Sequence, residues 1–243
     1  MQPTDFVHLH LHSQYSLLDG AIRLNDLLAK VKEHGMPAVA LTDHGAMFGA
    51  IEFYTKCKDK GVRPVIGCEV YVAPGSRFVK DAAGPDSTHS YHLILLCENL
   101  QGYKNLSRLV SSGFREGFYY KPRIDKELRA ECSEGLICLS ACLKGEVAYQ
   151  CGRGRMEEAI ATARWYSQLF PERYYIELQE NTLPEQDVAN KRLLEVAREL
   201  SLPLVATNDC HYLNREDARA HEVLLCLQTG KTLSDPSRMR FSA

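Results

Sequence analysis

His10 and His12 stand one residue apart at the end of the run Phe6-Val7-His8-Leu9-His10-Leu11-His12. In an extended strand, alternation puts Val7, Leu9 and Leu11 on one face and His8, His10 and His12 on the other. Two imidazoles on one strand face lie about 6–7 Å apart along the chain and can converge on one cation. The pattern recurs. Asp43-His44 closes a second apolar run, and Asp209-Cys210-His211 closes a third. Three strand-like segments that each end in metal-ligand residue types point to a shared cation site rather than to packing. His8 shares the histidine face but lies deeper, toward the opposite end of the strand, where a core role is expected. Cys210 alternates away from Asp209 and His211 and is left out of the site.

A fold must bring these ends together. Apolar, β-branched runs at 6–12, 38–43, 64–73, 92–98, 135–141, 173–179 and 203–208 read as strands. Segments of helical period at about 23–34, 46–60, 102–116, 154–169, 185–201 and 215–228 alternate with them. In the first helix Leu24, Leu27, Leu28 and Val31 form one apolar stripe. Gly35, Gly61 and Pro203 stand where helices should stop. Such alternation predicts an α/β fold, a parallel sheet covered by helices. Ligand types at the first, second and last strands favour a closed ring over an open sheet, because closure brings first and last together. Glu69 lies inside its strand. His92 opens its apolar run instead of ending it, so an antiparallel strand returning through the Gly/Pro/Ser-containing stretch 74–90 is expected. The expected fold is therefore an irregular barrel.

Composition excludes several classes. With 243 residues the chain is long enough for a full core. Its net charge of -2 gives no global attraction to nucleic acid, so any such binding must use a local patch or the metal site. No stretch reaches the length of a membrane span, and Met1-Gln2-Pro3-Thr4-Asp5 lacks an export signal. Nine cysteines, an odd number without framework spacing, indicate a reducing compartment and a cytoplasmic location.

At these residues the chain resembles the polymerase and histidinol phosphatase family, the PHP domain. Phe6–Gly20 is similar to the family's first motif and Ala40-Leu41-Thr42-Asp43-His44-Gly45 to its second. Gly67-Cys68-Glu69, Tyr91-His92-Leu93, Leu139-Ser140-Ala141-Cys142 and Thr207-Asn208-Asp209-Cys210-His211 resemble the remaining ones. Gly102-Tyr103-Lys104-Asn105-Leu106, Phe118–Ile124 and Arg238-Met239-Arg240-Phe241 are similar to the members found in bacterial replicative DNA polymerases. The resemblance implies a distorted seven-stranded, TIM-like (β/α)7 barrel over residues 1–230. Residues 231–243 are then the start of a linker to a polymerase body beyond this chain.

The resemblance also implies nine metal ligands: His10, His12, Asp19, His44, Glu69, His92, Cys142, Asp209 and His211. Glu69, Asp209 and His211 are assigned catalytic roles. Nine ligands suit two or three ions. The imidazole, carboxylate and thiolate mix fits zinc, manganese or iron. Glu69 is the expected bridge, and Asp43 is expected to accept a hydrogen bond from a ligand imidazole. Two ions about 3.5–4 Å apart stabilise both the attacking and the leaving oxygen at phosphorus, which is phosphoester hydrolysis. Around Phe114–Arg123, aromatics interleave with basic groups. Tyr119, Tyr120, Lys121 and Arg123 are candidates for gripping single-stranded DNA near its 3′ end; a packed aromatic helix end is the alternative. Glu177 and Gln179 end a strand near the site and could equally be solvated. The leading function is a metal-dependent 3′–5′ exonuclease with a proofreading role, partnered by the remaining polymerase domains and other replisome subunits. A structural and interaction module with little turnover is the second reading. A free-standing small-molecule phosphatase such as a histidinol phosphatase is the third.

Overall fold

The structure, a computed structural model, describes residues 6–80 and 90–239. Its centre is one long strand, β2 (Arg63–Val72), whose two halves have different neighbours. The first half pairs in parallel with β1 (Ala38–Leu41), from Ala38–Arg63 to Leu41–Ile66. The second half pairs antiparallel with β3 (Tyr91–Cys97), with Tyr71 opposite His92. The sheet continues through β6 (Leu136–Leu139), β7 (Tyr174–Gln179) and β8 (Leu204–Thr207), β6–β7 and β7–β8 being parallel pairs.

Residues 8–12 close the ring. On one side the Ala40 amide donates to the His8 carbonyl (2.8 Å) and the Thr42 amide to the Leu11 carbonyl (3.0 Å). On the other side the His12 amide donates to the Cys210 carbonyl (2.8 Å) and the Cys210 amide to the His10 carbonyl (3.2 Å). Together with β1, β2, β3, β6, β7 and β8, this segment makes a distorted barrel of the seven-membered kind expected. The segment itself is not a regular strand. Its one ladder bridge joins Leu11 to Cys210, and the Leu11 amide donates to the Thr42 hydroxyl (2.8 Å) instead of to a backbone carbonyl.

Strict alternation also fails there. Leu9 joins the interior cluster of Ala40, Ile94, Leu96 and Leu139, whereas Leu11 packs beneath the helices with Val39, Leu41 and Phe53. His8 lines a cavity outside the wall with Leu11 and Cys210. Leu9 and His10 therefore both face inward, a bulge-like break in the pleat that re-aims the histidines. The expectation that Val7, Leu9 and Leu11 share one face is corrected accordingly.

Helices cover the outside. They are α1 (Leu24–Glu33), α2 (Ala50–Lys60), α3 (Leu100–Arg115), α6 (Met156–Leu169), α7 (Pro184–Leu200) and α8 (Ala218–Thr229). The apolar stripe Leu24, Leu27, Leu28 and Val31 is buried as its period requires. The α7 helix stops two residues before Pro203, in a left-handed Ser201. Three short elements carry no readable period and escape the sequence reading. These are the hairpin β4–β5 (Phe118–Tyr119 and Lys121–Ile124), α4 (Lys126–Glu131) and α5 (Glu146–Gly152). The β5 strand pairs in parallel with the end of β2.

Residues 231–239, expected to begin a linker, fold back on α8. The Arg238 guanidinium grips the Glu222 carboxylate through Nε and Nη2, both at 2.7 Å. Arg240 and Phe241 of the C-terminal motif, and residues 81–89 of the stretch before β3, lie outside the described residues. Among the described residues no helix is long and apolar enough to cross a membrane.

Thr42 is the staple of the closing segment, because its hydroxyl bonds both the amide and the carbonyl of Leu11. Replacing it with the isosteric valine strands a buried amide. Thr42→Val should cost about 1–3 kcal/mol of stability, measured by urea unfolding, and should weaken metal retention by the histidines on that segment.

Candidate metal centre

The inner face of the barrel is layered. At its floor Ala40, Ile94, Leu96, Leu139 and Ala141 pack as an apolar plug with Leu9, Val65 and Val205. Above them, at the C-terminal ends of the parallel strands, the inward side chains turn polar. This is the end where barrel enzymes place their sites. His10 and His12 come from the closing segment, Asp19 from the turn after it, and His44 from just beyond β1. Glu69 lies on β2, Cys142 follows β6, and Asp209 and His211 follow β8. Because β3 runs antiparallel, His92 near its start meets Tyr71 near the end of β2.

The geometry brings all nine side chains to one place. Glu69 is the hub. Its Oε1 lies 2.6 Å from His92 Nδ1, 3.7 Å from His10 Nε2 and 3.9 Å from Cys142 Sγ. Its Oε2 lies 2.5 Å from His44 Nδ1 and 3.5 Å from His12 Nε2. Asp209 Oδ1 sits 3.1 Å from both His10 Nε2 and His12 Nε2. Asp19 reaches His44 Nε2 at 3.0 Å and His211 Nε2 at 3.6 Å. Three overlapping triplets have donor atoms within 4.8 Å of one another: His12/His44/His211, His10/His12/Glu69 and His44/Glu69/His92.

The supporting hydrogen bonds orient the rings. Glu177 Oε1 accepts from His10 Nδ1 at 2.7 Å, leaving Nε2 turned to the cluster. Ser16 donates its hydroxyl hydrogen to Asp43 (2.8 Å), so its oxygen is left to accept from His12 Nδ1 (3.3 Å), which again frees Nε2. The His211 Nδ1 donates to the backbone carbonyl of Asp209 at 2.8 Å. Glu177 itself is fixed by Gln179 Nε2 (3.0 Å) and by the Thr207 hydroxyl.

Burial opposes charge throughout this cluster, and the neighbours decide each outcome. For His10, burial is overcome by Asp209, Glu177 and Glu69, which raise its pKa to about 10. For His44, Glu69 and Asp19 overcome burial and raise it to about 9. Burial, with His44 and His211 beside it, lowers His12 to about 3. Asp19, Glu69 and Asp209 are all held well below the carboxylate range despite burial, because imidazoles surround them. Burial and the charges of Glu69 and Asp209 push the Cys142 thiol well up.

His10 Nε2, His12 Nε2, Asp19 Oδ1, His44 Nδ1, Glu69 Oε2 and Asp209 Oδ1 are buried and make no well-aligned hydrogen bond, crowding against one another as imidazole–carboxylate contacts instead. Such atoms are rare in a folded interior. Six of them aimed at one spot are the signature of a cluster built for cations, and the donor set suits borderline transition metals. Backbone strain gathers here too. Leu18 (φ 61°), Ala141 (φ 64°) and Asp209 (φ 51°) are left-handed, and each is a proposed ligand or adjoins one.

Some sequence expectations are corrected. Asp43 touches no ligand imidazole. It accepts from the Ser13 amide (2.7 Å) and from the Ser13 and Ser16 hydroxyls (2.9 and 2.8 Å), so it braces the 13–16 turn and acts on His12 only through Ser16. Arg123 is buried, with Nη2 on the Val79 carbonyl (2.7 Å) and Nε on the Gly117 carbonyl (3.2 Å), so its guanidinium is held inside the protein. It cannot grip a strand. Tyr119 lies half-buried above Arg123, with the guanidinium 5.0 Å from its ring. Tyr120 and Lys121 are exposed at the hairpin tip. Glu177 and Gln179 are buried, not solvated.

The sequence reading missed His221 of α8. It is buried with Nε2 at 3.9 Å from Asp19 Oδ1. Its one sequence signal is a histidine four residues before Leu225, on the apolar side of its helix. Glu177 positions His10 without belonging to the nine. Its replacement by glutamine should therefore weaken metal binding about 10- to 100-fold, read by competition with a chromogenic chelator, while the fold survives.

The family described as the PHP domain matches residues 8–181. Asp209 and His211 lie beyond that match, and the ring closure carries them to it. The chain is 48% identical over 237 residues to the DNA polymerase III subunit alpha of Borreliella burgdorferi, covering 97% of this chain and 20% of that protein. It is 51% identical over 239 residues to that of Thermus aquaticus, with the same 97% and 20% coverage. The chain thus spans about a fifth of the length of the curated relatives it matches. A two-domain protein from Bacteroides vulgatus, described as containing a PHP-like metal-dependent phosphoesterase, shares the fold. Its TM-score is 0.51 at 13% identity, over 93% of this chain and 55% of that one. The chain belongs to the PHP domain family.

Proposed function

We propose that this domain is a metal-dependent phosphodiesterase, a 3′–5′ exonuclease that trims single-stranded DNA ends for a replicative polymerase whose other domains share its chain. The observation that carries the reading is the set of buried imidazole and carboxylate atoms, six of them without a well-aligned hydrogen bond, that crowd together at Glu69. His10, His12, Asp19, His44, Glu69, His92, Cys142, Asp209 and His211 would hold the ions between them. Two or three ions of zinc, manganese or iron supply, when bound, Lewis-acid polarisation and charge stabilisation at phosphorus.

The chain's own groups do the rest. Glu177 and Ser16 hold His10 and His12 in the tautomer whose Nε2 faces inward. An apolar cluster fills the floor below, and the polar groups face the strand-end mouth from which a substrate would approach. Beside that mouth Lys121 Nζ lies 5.3 Å from the centre of the Tyr71 ring, which in turn is 5.2 Å from His92. Lys121 suits a backbone phosphate, and the exposed Tyr120 suits stacking on a base.

The test is hydrolysis of a 3′-labelled single strand, with metal content measured on the same sample. More than one ion per chain and stepwise loss from the 3′ end are expected. His10→Ala and Asp209→Asn should abolish hydrolysis while circular dichroism stays folded. A metal-replete chain that leaves the strand intact, but unfolds more easily when stripped, would favour the structural-module reading. Lys121→Ala should reduce action on DNA several-fold more than action on a small chromogenic phosphodiester, and should flatten the salt dependence of DNA binding.

Metal affinity should rise with pH. His10 and His44, with pKa values raised to about 10 and about 9, carry protons at neutral pH in the metal-free protein. An incoming ion must expel those protons. Titration calorimetry in buffers of different ionisation enthalpy should show proton release at pH 7. Affinity should strengthen by roughly tenfold per pH unit for each proton released as pH climbs toward 9.

A further inference from the structure

We propose that the Tyr71 hydroxyl donates a hydrogen bond to a non-bridging oxygen of the phosphoryl group bound at the metal centre, which makes Tyr71 a catalytic residue of the phosphodiesterase proposed above. Tyr71 follows Glu69 by two positions on β2, so both side chains enter the barrel from the same face while Val70 and Val72 pack in the outer core. Its ring is fixed on several sides. It lies nearly parallel to His44, 20° between planes and 6.0 Å between centres. It meets His92 edge-on at 5.2 Å.

Gly45 gives the ring its space. That residue is left-handed (φ 61°), and a Cβ added there would come within 2.9 Å of both Tyr71 Cε2 and Pro122 Cγ. The Lys121 ammonium lies 5.3 Å from the ring centre. The residue is 6% exposed, yet among the described residues its hydroxyl takes part in no hydrogen bond. A phenol packed between two proposed ligand imidazoles keeps its donor available to a group arriving at the mouth. Phenylalanine would fill the same space.

The site therefore sets a phenolic O–H beside the clustered ligand residues. That pairing selects a tetrahedral oxyanion: the ions take its charge, and a rigid donor takes one of its remaining oxygens. No proton needs to leave Tyr71 in this role.

The experiment measures binding of inorganic phosphate to the metal-replete chain by calorimetry, together with strand hydrolysis. Tyr71→Phe should weaken phosphate binding and lower kcat/KM by about 10- to 100-fold, the range of a hydrogen bond to a charged group. Metal content and melting temperature should not move. Equal phosphate affinity in the two proteins overturns the proposal, as does a wild-type chain that binds no phosphate. If Tyr71→Phe disturbs metal content, 3-fluorotyrosine at position 71 decides. It keeps the ring nearly unchanged in shape and makes a stronger donor, so tighter phosphate binding supports the role and unchanged binding overturns it. Phosphate binding that depends on Tyr71 in a chain that hydrolyses no strand sustains the donor and refutes the exonuclease.

Discussion

One buried carboxylate sets the terms for this structure. Glu69 is fully enclosed, and an unpaired charge in that position would be prohibitively costly. It is tolerated because four imidazoles from three different parts of the chain surround it at 2.5 to 3.7 Å. Those imidazoles arrive on the closing segment, after β1 and on β3, so the carboxylate dictates where each strand must end. The antiparallel direction of β3 follows the same demand. Run parallel, its first residues would deliver His92 to the apolar floor.

The support around the cluster is as specific as the cluster itself. Glu177, Gln179 and Thr207 form a chain of donors and acceptors behind His10, and Asp43, Ser13 and Ser16 form another behind His12. Each chain fixes which ring nitrogen faces inward. Strained backbone at Leu18, Ala141 and Asp209 shows that the surrounding fold overrides local preference where ligands are placed. Both are marks of preorganisation: the donors are in position before any ion arrives.

Much of this was legible in the sequence, for a physical reason. Strand ends in a parallel barrel share one rim, so ligand residue types at the ends of apolar runs announce convergence without any knowledge of distance. His92 could be placed by the same logic once its position at the start of a run was noticed. Other features depend on contacts that no period encodes. The inward pair Leu9–His10 breaks alternation because Thr42 captures the Leu11 amide. Arg123 looks like a surface cation in a basic, aromatic stretch, but two carbonyls from neighbouring loops hold its guanidinium inside. Asp43 sits beside a ligand in sequence and yet serves the turn across from it. His221 enters from a helix wall, and α4, α5 and the β4–β5 hairpin are too short for a period to show.

The seam between residues 8–12 and 208–211 has a consequence for biosynthesis. About two hundred residues separate its two sides, so the first segment emerges from the ribosome long before its partner. Until Cys210 is made, the growing chain carries one sheet edge at the start of the barrel and another at its tip, both with unpaired amides and carbonyls. Such edges invite pairing with other chains while long-range closure waits. His10 and His12 wait with them, since Asp209 and His211 come from the last strand end. The cation cluster is thus completed by the final step of folding, and loading it would act as a clasp on a ring that has just closed.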